Sequence, residues 1–294
     1  MLKPAKISVV VLVDSETNLV CVPISVLKLT LEKEAERLIM KNIIQDELDL
    51  AKSKMIEEIT FQGKTLAKLT RDNVAIVEAM IRNDSAYIHS TDVDAEPDKN
   101  KKGEVKYGGS SAFWMTLLKR VLRDNISDSS YTYEEIIKGA VESVDRENST
   151  HLNADKCGRQ EITDRICRFD RDEFVKCLED PDYNDMALIR EISRITSAEE
   201  RARRNLSFAS KFCHYACFYV FEGTENQDNY SIYDKILKTV LPLYLGYYKI
   251  ESSYDLNDYK DYRMAVDSIR KASGIEISRN GFDHLLWYYH KGRL

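Results

Sequence analysis

Lys211 is the residue whose neighbours in the chain most clearly point to chemistry. It opens the run "KFCHYACFYVF" (211–221), which is apolar or aromatic at almost every position, whereas charged side chains are seldom fully buried. Asp234 follows in "SIYDKILKTVLPLY" (231–244), at the predicted start of another helix. A lysine beside a helix N-terminus and an apolar wall is disfavoured as a cation, so its pKa falls and the free amine becomes a nucleophile.

The chain between the two residues is long enough to let them meet. A helix over 211–221 is about 15 Å long, and the polar segment "EGTENQDN" (222–229) spans roughly 25 Å when extended. We therefore expect the chain to return along the helix and to place Asp234 beside Lys211. An amine attacks a carbonyl or anomeric carbon and passes through a Schiff base, while a nearby carboxylate stabilises a cationic sugar-like transition state or shuttles protons.

The same residues also allow structural interpretations. Ser231 and Asp234 have the spacing of a capping box, in which Asp234 only begins a helix. Lys211 then extends its amine to solvent along an apolar surface, or forms a buried ion pair with Asp234 whose truncation destabilises the fold by about 3–5 kcal/mol. The residues alone leave the catalytic, capping and ion-pair interpretations open.

This arrangement resembles the helix-hairpin-helix DNA glycosylases, and in particular their 8-oxoguanine DNA glycosylase branch. That branch carries Gly-apolar-Gly-x-Lys on a hairpin before a buried helix, and further along an apolar segment that ends in Asp at a helix start. Here "SFASK" (207–211) matches the hairpin and "SIYD" (231–234) matches the aspartate segment, with Ser207 and Ala209 where the family has glycines. The resemblance covers about residues 185–294, with general helical agreement from about residue 111.

The resemblance implies roles for individual residues. Lys211 is then the Schiff-base nucleophile and Asp234 the catalytic carboxylate. In the family the C-terminal helix contributes to the base pocket, which makes Phe282 and His284 candidate substrate-binding residues for a base extruded from the stack. His214, one helical turn after Lys211 on the same face, is a third candidate. Relatives with such a hairpin occur beside bacterial antiviral systems, so the resemblance also implies a role in defence.

A basic stretch immediately precedes Lys211. The segment "TSAEERARRN" (196–205) brings three arginines close to Arg190 and Arg194. It is either a solvated helix face with Glu–Arg pairs or a patch that contacts phosphates. In the second interpretation, the nucleic-acid backbone is contacted by Arg201, Arg203, Arg204, Ser207 and Ser210.

The elements that must position these residues are mainly helical. A β-hairpin is predicted over 6–25, helices within 30–59 and over 65–82, and a long polar loop over 90–111. The predicted fold is therefore mainly α, with an N-terminal α/β region over 1–95, a linker or mobile loop over 96–110, and a helical domain, glycosylase-like by the resemblance, over 111–294. Its helices are predicted at 111–124, 132–145, 171–179, 185–195, 197–205, 207–221, 231–245, 257–273 and 279–290.

The composition argues against several classes of protein. A net charge of −6 does not suit a strongly cationic, unspecific nucleic-acid binder, although residues 189–294 carry +2 against −8 for residues 1–188. No apolar run reaches the roughly 20 residues that cross a bilayer and no signal-peptide pattern begins the chain, so we expect a cytoplasmic protein without a membrane partner.

The six cysteines have no zinc or iron–sulfur spacing, and "GKT" (63–65) lacks the earlier glycine of a phosphate-binding loop. We therefore expect neither a metal nor a cofactor.

Two functions from different classes follow. The first is an N-glycosylase acting on DNA or nucleosides, with or without lyase activity through a lysine Schiff base, and the pairing of Lys211 with Asp234 favours it. The second is a non-catalytic protein of glycosylase fold that binds nucleic acid or a partner protein. The acidic balance and the missing glycines favour this alternative.

Overall fold

The computed structural model divides the chain into two compact units, Met1–Ser53 and Lys54–Leu294. It describes strands at 8–11 and 20–23 and, in the second unit, residues 55–82, 84–99, 105–124, 130–150, 152, 158–194 and 205–292. In the first unit, β1 (Ser8–Val11) pairs antiparallel with β2 (Val20–Pro23). The hairpin predicted over 6–25 is confirmed, and the helices predicted within 30–54 lie outside the described residues.

The second unit is mainly helical, as predicted. None of its described helices is both long enough and apolar enough to cross a membrane. Its described elements are, in chain order, β3 (Glu58–Phe61), β4 (Lys64–Ala67), α1 (Arg71–Arg82), α2 (Ser85–Ser90), β5 (Asp98–Lys99), β6 (Val105–Tyr107), α3 (Ser111–Leu122), α4 (Tyr133–Asn148), α5 (Gly158–Ile166), α6 (Arg171–Glu179), α7 (Ala187–Ser193), α8 (Leu206–Val220), a 3₁₀ turn (Glu225–Asp228), α9 (Lys235–Tyr247), α10 (Tyr259–Ser273) and α11 (Arg279–His290).

A β-hairpin stands where the sequence predicts the end of one helix and the start of another. β3 pairs antiparallel with β4, and the turn between them is made by Gln62 and Gly63, which both have positive φ (50° and 72°). A two-residue turn of this kind matches the right-handed twist of the flanking strands. The helical predictions for 58–59 and 65–67 are therefore wrong. The Gly-Lys-Thr run belongs to this hairpin, and α1 starts only at Arg71.

Helix α8 lies in the core of the second unit. It packs against α3, α4, α6 and α7. Its residues Phe208, Phe212, Cys213, Ala216 and Cys217 are at most 1% exposed. A helix that is apolar around most of its circumference must be buried. This packing accounts for the long apolar run that follows Lys211.

The predicted helix positions agree closely with the structure where the pattern is strong. The predictions at 171–179 and 279–290 coincide with α6 and α11, and the prediction at 207–221 is shifted by one residue from α8. Except for its last residue, the helix predicted at 197–205 lies outside the described residues. Apolar residues at helical spacing, together with side-chain caps such as Ser278 at the start of α11, set these boundaries.

Helix α11 carries several of the candidate site residues and is fixed firmly at its start. It packs against α1, β4, α9 and α10. The Asp228 carboxylate accepts the N–H groups of Arg279 and Asn280 (2.5 and 3.0 Å), and Ser278 Oγ accepts the Gly281 N–H (2.9 Å). These bonds satisfy the N–H groups that the first turn of a helix leaves free, and the negative charge is favourable there.

The segment predicted as a linker or mobile loop, 96–110, lies inside the second unit. Within it, the short strands β5 and β6 pair antiparallel. Ser110 caps α3 by accepting the Phe113 N–H (3.0 Å), and the Arg146 guanidinium donates to the Gly109 carbonyl (2.6 Å). These contacts tie the end of the segment to α3 and α4.

Candidate functional site

Lys211 lies in the second turn of α8 and is half-buried. The backbone is helical from Leu206, with the Ala209 N–H bonded to the Asn205 carbonyl (2.9 Å). The helix predicted over 207–221 is therefore present, and the hairpin that the resemblance implies at 207–211 is not formed. Neither 207 nor 209 is a glycine, and nothing in the segment breaks the helix. Because Lys211 is inside the helix, the helix N-terminus does not account for the state of its amine.

Asp234 is the N-cap of α9 and is half-buried. Its Oδ1 accepts the Ile236 N–H (2.7 Å). Ser231 takes no part in this cap, because it is buried and its Oγ has no hydrogen-bond partner among the described residues. Asp234 therefore does begin a helix, as the capping interpretation expects, but only one of its two carboxylate oxygens is used for this.

A hydrogen bond joins the residues that precede Lys211 and Asp234. The Tyr233 N–H donates to Ser210 Oγ (2.9 Å), and the Ser210 hydroxyl donates to the Ser207 carbonyl (3.1 Å) within α8. Ser210 is fully buried. This bond therefore holds the chain at the start of α9 against the second turn of α8.

Replacing Ser210 with alanine should destabilise the protein by about 1–3 kcal/mol, because the partly buried Tyr233 N–H loses its acceptor. Denaturation in urea measures the change. Ser207→Ala is the matched control, since the Ser207 hydroxyl makes no hydrogen bond to the described residues, and it should cost less than about 0.5 kcal/mol. Equal stability of the two variants would show that the Ser210–Tyr233 bond does not hold the two segments together.

Burial has the largest effect on the pKa of the Lys211 amine. Burial lowers the pKa of Lys211 from its usual 10.5, the carboxylates of Asp234 and Asp283 oppose this and raise it, and the charge of Lys291 lowers it again. Within the described part of the chain, Lys211 forms no ion pair with either carboxylate. The net effect is a lowered pKa, so the free amine, which is the form that acts as a nucleophile, is easier to reach than for a solvated lysine.

Asp283 on α11 is a third ionisable group at this place, and the sequence reasoning missed it. Asp283 is 7% exposed, and its Oδ1 has no hydrogen-bond partner in the described part of the chain. Burial raises the pKa of Asp283 to about 8, the charge of Asp234 raises it further, and Lys211 lowers it. The carboxyl is therefore protonated at neutral pH. The sequence does contain a sign of this buried carboxyl, namely an acidic residue within the largely apolar run "FDHLLW" (282–287).

The three residues predicted to bind substrate are all at least half-buried. His214 is held at Nδ1 by the Tyr230 carbonyl (3.0 Å) and at Nε2 by the Asn280 side chain (3.1 Å). Phe282 is fully buried and packs in the helical core. Burial lowers the pKa of His284 to about 4, and its Nδ1 has no partner among the described residues. Of the three, only His284 has an unused ring nitrogen.

The residues predicted to contact a nucleic-acid backbone are only partly described. Ser207 is half-buried in the first turn of α8, whereas Ser210 is fully buried and its hydroxyl is used within the protein. Nearby, Arg190 and Arg194 pair with Asp185 and Glu191 (2.7 and 2.9 Å). The remaining predicted contacts, Arg201, Arg203 and Arg204, lie outside the described residues.

Two surface cavities lie away from Lys211. One, of about 520 Å³, is bordered by the end of α10 and the start of α11, and the other, of about 220 Å³, lies between α1 and residues 276–278. In the larger cavity, Arg270 and Arg279 pair with Asp228 and Asp267, so their charges are already balanced. Neither cavity is lined by the residues around the Lys211 amine.

Among the described residues, no group of three or more His, Cys, Asp and Glu side chains could hold a metal ion. Cys213 and Cys217 on α8 are free and fully buried, and burial raises the pKa of both thiols well above its usual value. Thiols of this kind are unreactive and fill the core.

No protein-family model, curated protein or solved structure matches the chain. The glycosylase-like fold therefore stays a prediction, and a function has to be argued from the arrangement around Lys211. Here α8 contributes an amine that burial disfavours as a cation, the start of α9 contributes the Asp234 carboxylate, and α11 contributes the protonated carboxyl of Asp283. A nucleophile, a negative charge and an acidic proton are thus brought together from three separate helices.

Proposed function

We propose that the protein is an N-glycosylase acting on DNA or nucleosides, with Lys211 as the amine nucleophile and Asp234 as the catalytic carboxylate. The observation that carries the proposal is the hydrogen bond from Tyr233 to Ser210, which holds the start of α9, with Asp234, against the turn of α8 that carries Lys211. Burial lowers the pKa of Lys211 at this place, although the carboxyl groups of Asp234 and Asp283 raise it. A lysine kept for an ion pair is stabilised as a cation by its partner. Here burial outweighs both carboxyl groups, as suits a nucleophile.

The reaction that fits these groups is displacement at an anomeric carbon. The lone pair of Lys211 Nζ attacks C1′, the bond from C1′ to the base nitrogen breaks, and its electron pair leaves with the base, which takes up a proton. The new ammonium gives a proton to Asp234. Opening of the sugar ring, with protonation of O4′, then forms the Schiff base. Water hydrolyses it, or removal of a C2′ proton with departure of the 3′ phosphate cleaves the strand.

The resemblance to the helix-hairpin-helix DNA glycosylases supports the roles of Lys211 and Asp234 but not the way in which a substrate is held. In that family the hairpin glycines let backbone N–H groups approach a DNA phosphate. Residues 207–211 are helical here, so their N–H groups are not presented in that manner. The proposal therefore keeps nucleosides beside DNA as substrates, and any defence role depends on which of them is used.

Replacing Asp234 with asparagine should separate catalysis from capping. Asparagine caps a helix about as well as aspartate, so the free energy of unfolding should change by less than roughly 0.5 kcal/mol. Loss of the carboxylate should lower the rate of base release by about 10²-fold or more. The measurement is base release from oligonucleotides and nucleosides that contain adenine, guanine, uracil or 8-oxoguanine.

Asp258→Asn is the matched control for this experiment. Asp258 caps α10 as Asp234 caps α9, and Asp258→Asn should retain full activity. Full activity in the Asp234→Asn variant would remove Asp234 from the proposed mechanism.

A second candidate function is non-catalytic binding of nucleic acid or a partner protein. The acidic balance of the chain and the replacement of the hairpin glycines by Ser207 and Ala209 favour it. On this view Lys211→Ala leaves the biological activity intact, and charge reversal at Arg201, Arg203 and Arg204 abolishes it. The opposite pattern would reject binding as the main function.

A further inference from the structure

The proposed displacement needs an acid that neither Lys211 nor Asp234 supplies. The base leaves with the electron pair of the broken bond and must take up a proton. Lys211 reacts as the free amine, and Asp234 receives the proton that the amine releases. A proton for the departing base must therefore come from another group near the amine.

Asp283 is placed to be that group. It lies on α11, which is a different element from those that carry Lys211 and Asp234. It is 7% exposed, its Oδ1 has no hydrogen-bond partner among the described residues, and it interacts electrostatically with both Lys211 and Asp234. A buried carboxyl oxygen that no donor satisfies is costly in a protein core, and such atoms are frequent at functional sites.

Two tyrosine hydroxyls that interact with Asp283 are already used as hydrogen-bond donors. The Tyr262 hydroxyl donates to the Ile232 carbonyl (2.8 Å), and the Tyr215 hydroxyl donates to Asn148 Oδ1 (3.2 Å). Burial raises the pKa of both tyrosines, so they hold their protons more tightly than a free phenol. Unlike the two tyrosine hydroxyls, Asp283 has a carboxyl oxygen, Oδ1, that makes no hydrogen bond within the described residues.

We propose that Asp283 protonates the departing base and is a third catalytic residue beside Lys211 and Asp234. This inference rests on the proposed function. As the bond from C1′ to the base nitrogen breaks, Asp283 gives the proton of its carboxyl to that nitrogen and becomes a carboxylate. It regains a proton from water when the Schiff base is hydrolysed and the amine is set free.

The pH dependence of the wild-type protein should reveal this acid. The pKa of Asp283 is about 8. The groups that interact electrostatically with it are Lys211 and Tyr215 on α8, Asp234 at the start of α9, and Tyr262 on α10. Base release should therefore fall as the pH rises above about 8. Strand cleavage at an abasic site, where there is no base to expel, should not show this fall.

The variant Asp283→Asn tests the inference directly, because asparagine has the same shape and no acidic proton. We expect base release from an 8-oxoguanine or uracil oligonucleotide to fall by about 10²-fold, and cleavage of the same oligonucleotide with an abasic site to be unchanged. Glu276→Gln is the matched control, since the Glu276 side chain is 95% exposed, and both of its activities should equal those of the wild type.

Three outcomes would overturn the inference in distinguishable ways. Wild-type rates of base release in Asp283→Asn, with the fall above pH 8 retained, would show that Asp283 is not the acid while Lys211 keeps its role. An equal loss of both activities would show that Asp283 acts on the amine and not on the departing base. Absence of both activities in the wild-type protein, together with no base release from nucleosides, would reject the proposed function itself, and Asp283 with it.

Discussion

Replacing Lys211 with methionine should abolish base release without lowering the free energy of unfolding. Methionine keeps an unbranched apolar stem but has no amine, so no Schiff base forms, and the rate should fall on the order of 10³-fold or more, as for other lost nucleophiles. Burial makes the Lys211 ammonium less favourable inside the protein than in water, so its removal relieves a cost. Base release and denaturation in urea, both at pH 7, measure the two effects.

The direction of the pKa shift also sets the pH dependence of this stability change. Because folding lowers the pKa of Lys211, the unfolded chain binds more protons between the folded pKa and 10.5, and the stability of the wild-type protein rises with pH in that window. The gain in the free energy of unfolding of Lys211→Met over the wild type should be greatest at neutral pH and should disappear above about pH 10.5.

Lys235→Met is the control, because Lys235 is exposed and follows Asp234 directly, and it should retain activity. A loss of about 3–5 kcal/mol in Lys211→Met would instead identify Lys211–Asp234 as a structural ion pair.

Replacing Asp283 with asparagine should stabilise the protein at neutral pH although it lowers activity. Folding raises the pKa of Asp283 from 3.8 to about 8, so the folded protein binds more protons in this window and its stability falls as the pH rises. One pKa unit corresponds to about 1.4 kcal/mol. The asparagine variant should therefore gain on the order of 4 kcal/mol at pH 7 and almost nothing at pH 4.

Denaturation in urea between pH 4 and pH 8 measures this difference. Glu276→Gln, at an exposed carboxylate, should follow the wild-type curve. A difference between Asp283→Asn and the wild type that stays constant with pH would mean that Asp283 does not take up a proton on folding. A gain in stability with a loss of activity is typical when a catalytic group that destabilises the fold is removed.

The helices around the site follow from the sequence because their apolar spacing is strong and their ends carry caps. The run 211–221 predicts a buried helix, and α8 is one. The polar residues 222–229 allow the chain to return, and the bond from Tyr233 to Ser210 holds the returned segment in place. That bond is not visible in the sequence, since any serine one turn into a helix could equally face solvent.

Other features depend on tertiary contacts that no local pattern contains. The hairpin of β3 and β4 is not predicted, because its turn needs a positive φ at Gln62. Glutamine seldom adopts a positive φ, so the residue type gives no sign of this turn. Asp283 was missed because an aspartate in an amphipathic helix is ordinarily solvated, and only the packing of α11 buries it. The resemblance implies a hairpin at 207–211, but the chain lacks the glycines of that family and the segment is helical.

Reductive trapping of the Schiff base shows whether Lys211 is the nucleophile. The protein is mixed with an oligonucleotide that contains an abasic site, reduced with sodium borohydride, digested, and mapped by mass spectrometry. We expect a covalent adduct on Lys211 that is lost in Lys211→Met and retained in Lys235→Met. An adduct on a different lysine, or no adduct with the wild-type protein, would contradict the claim that Lys211 is the nucleophile.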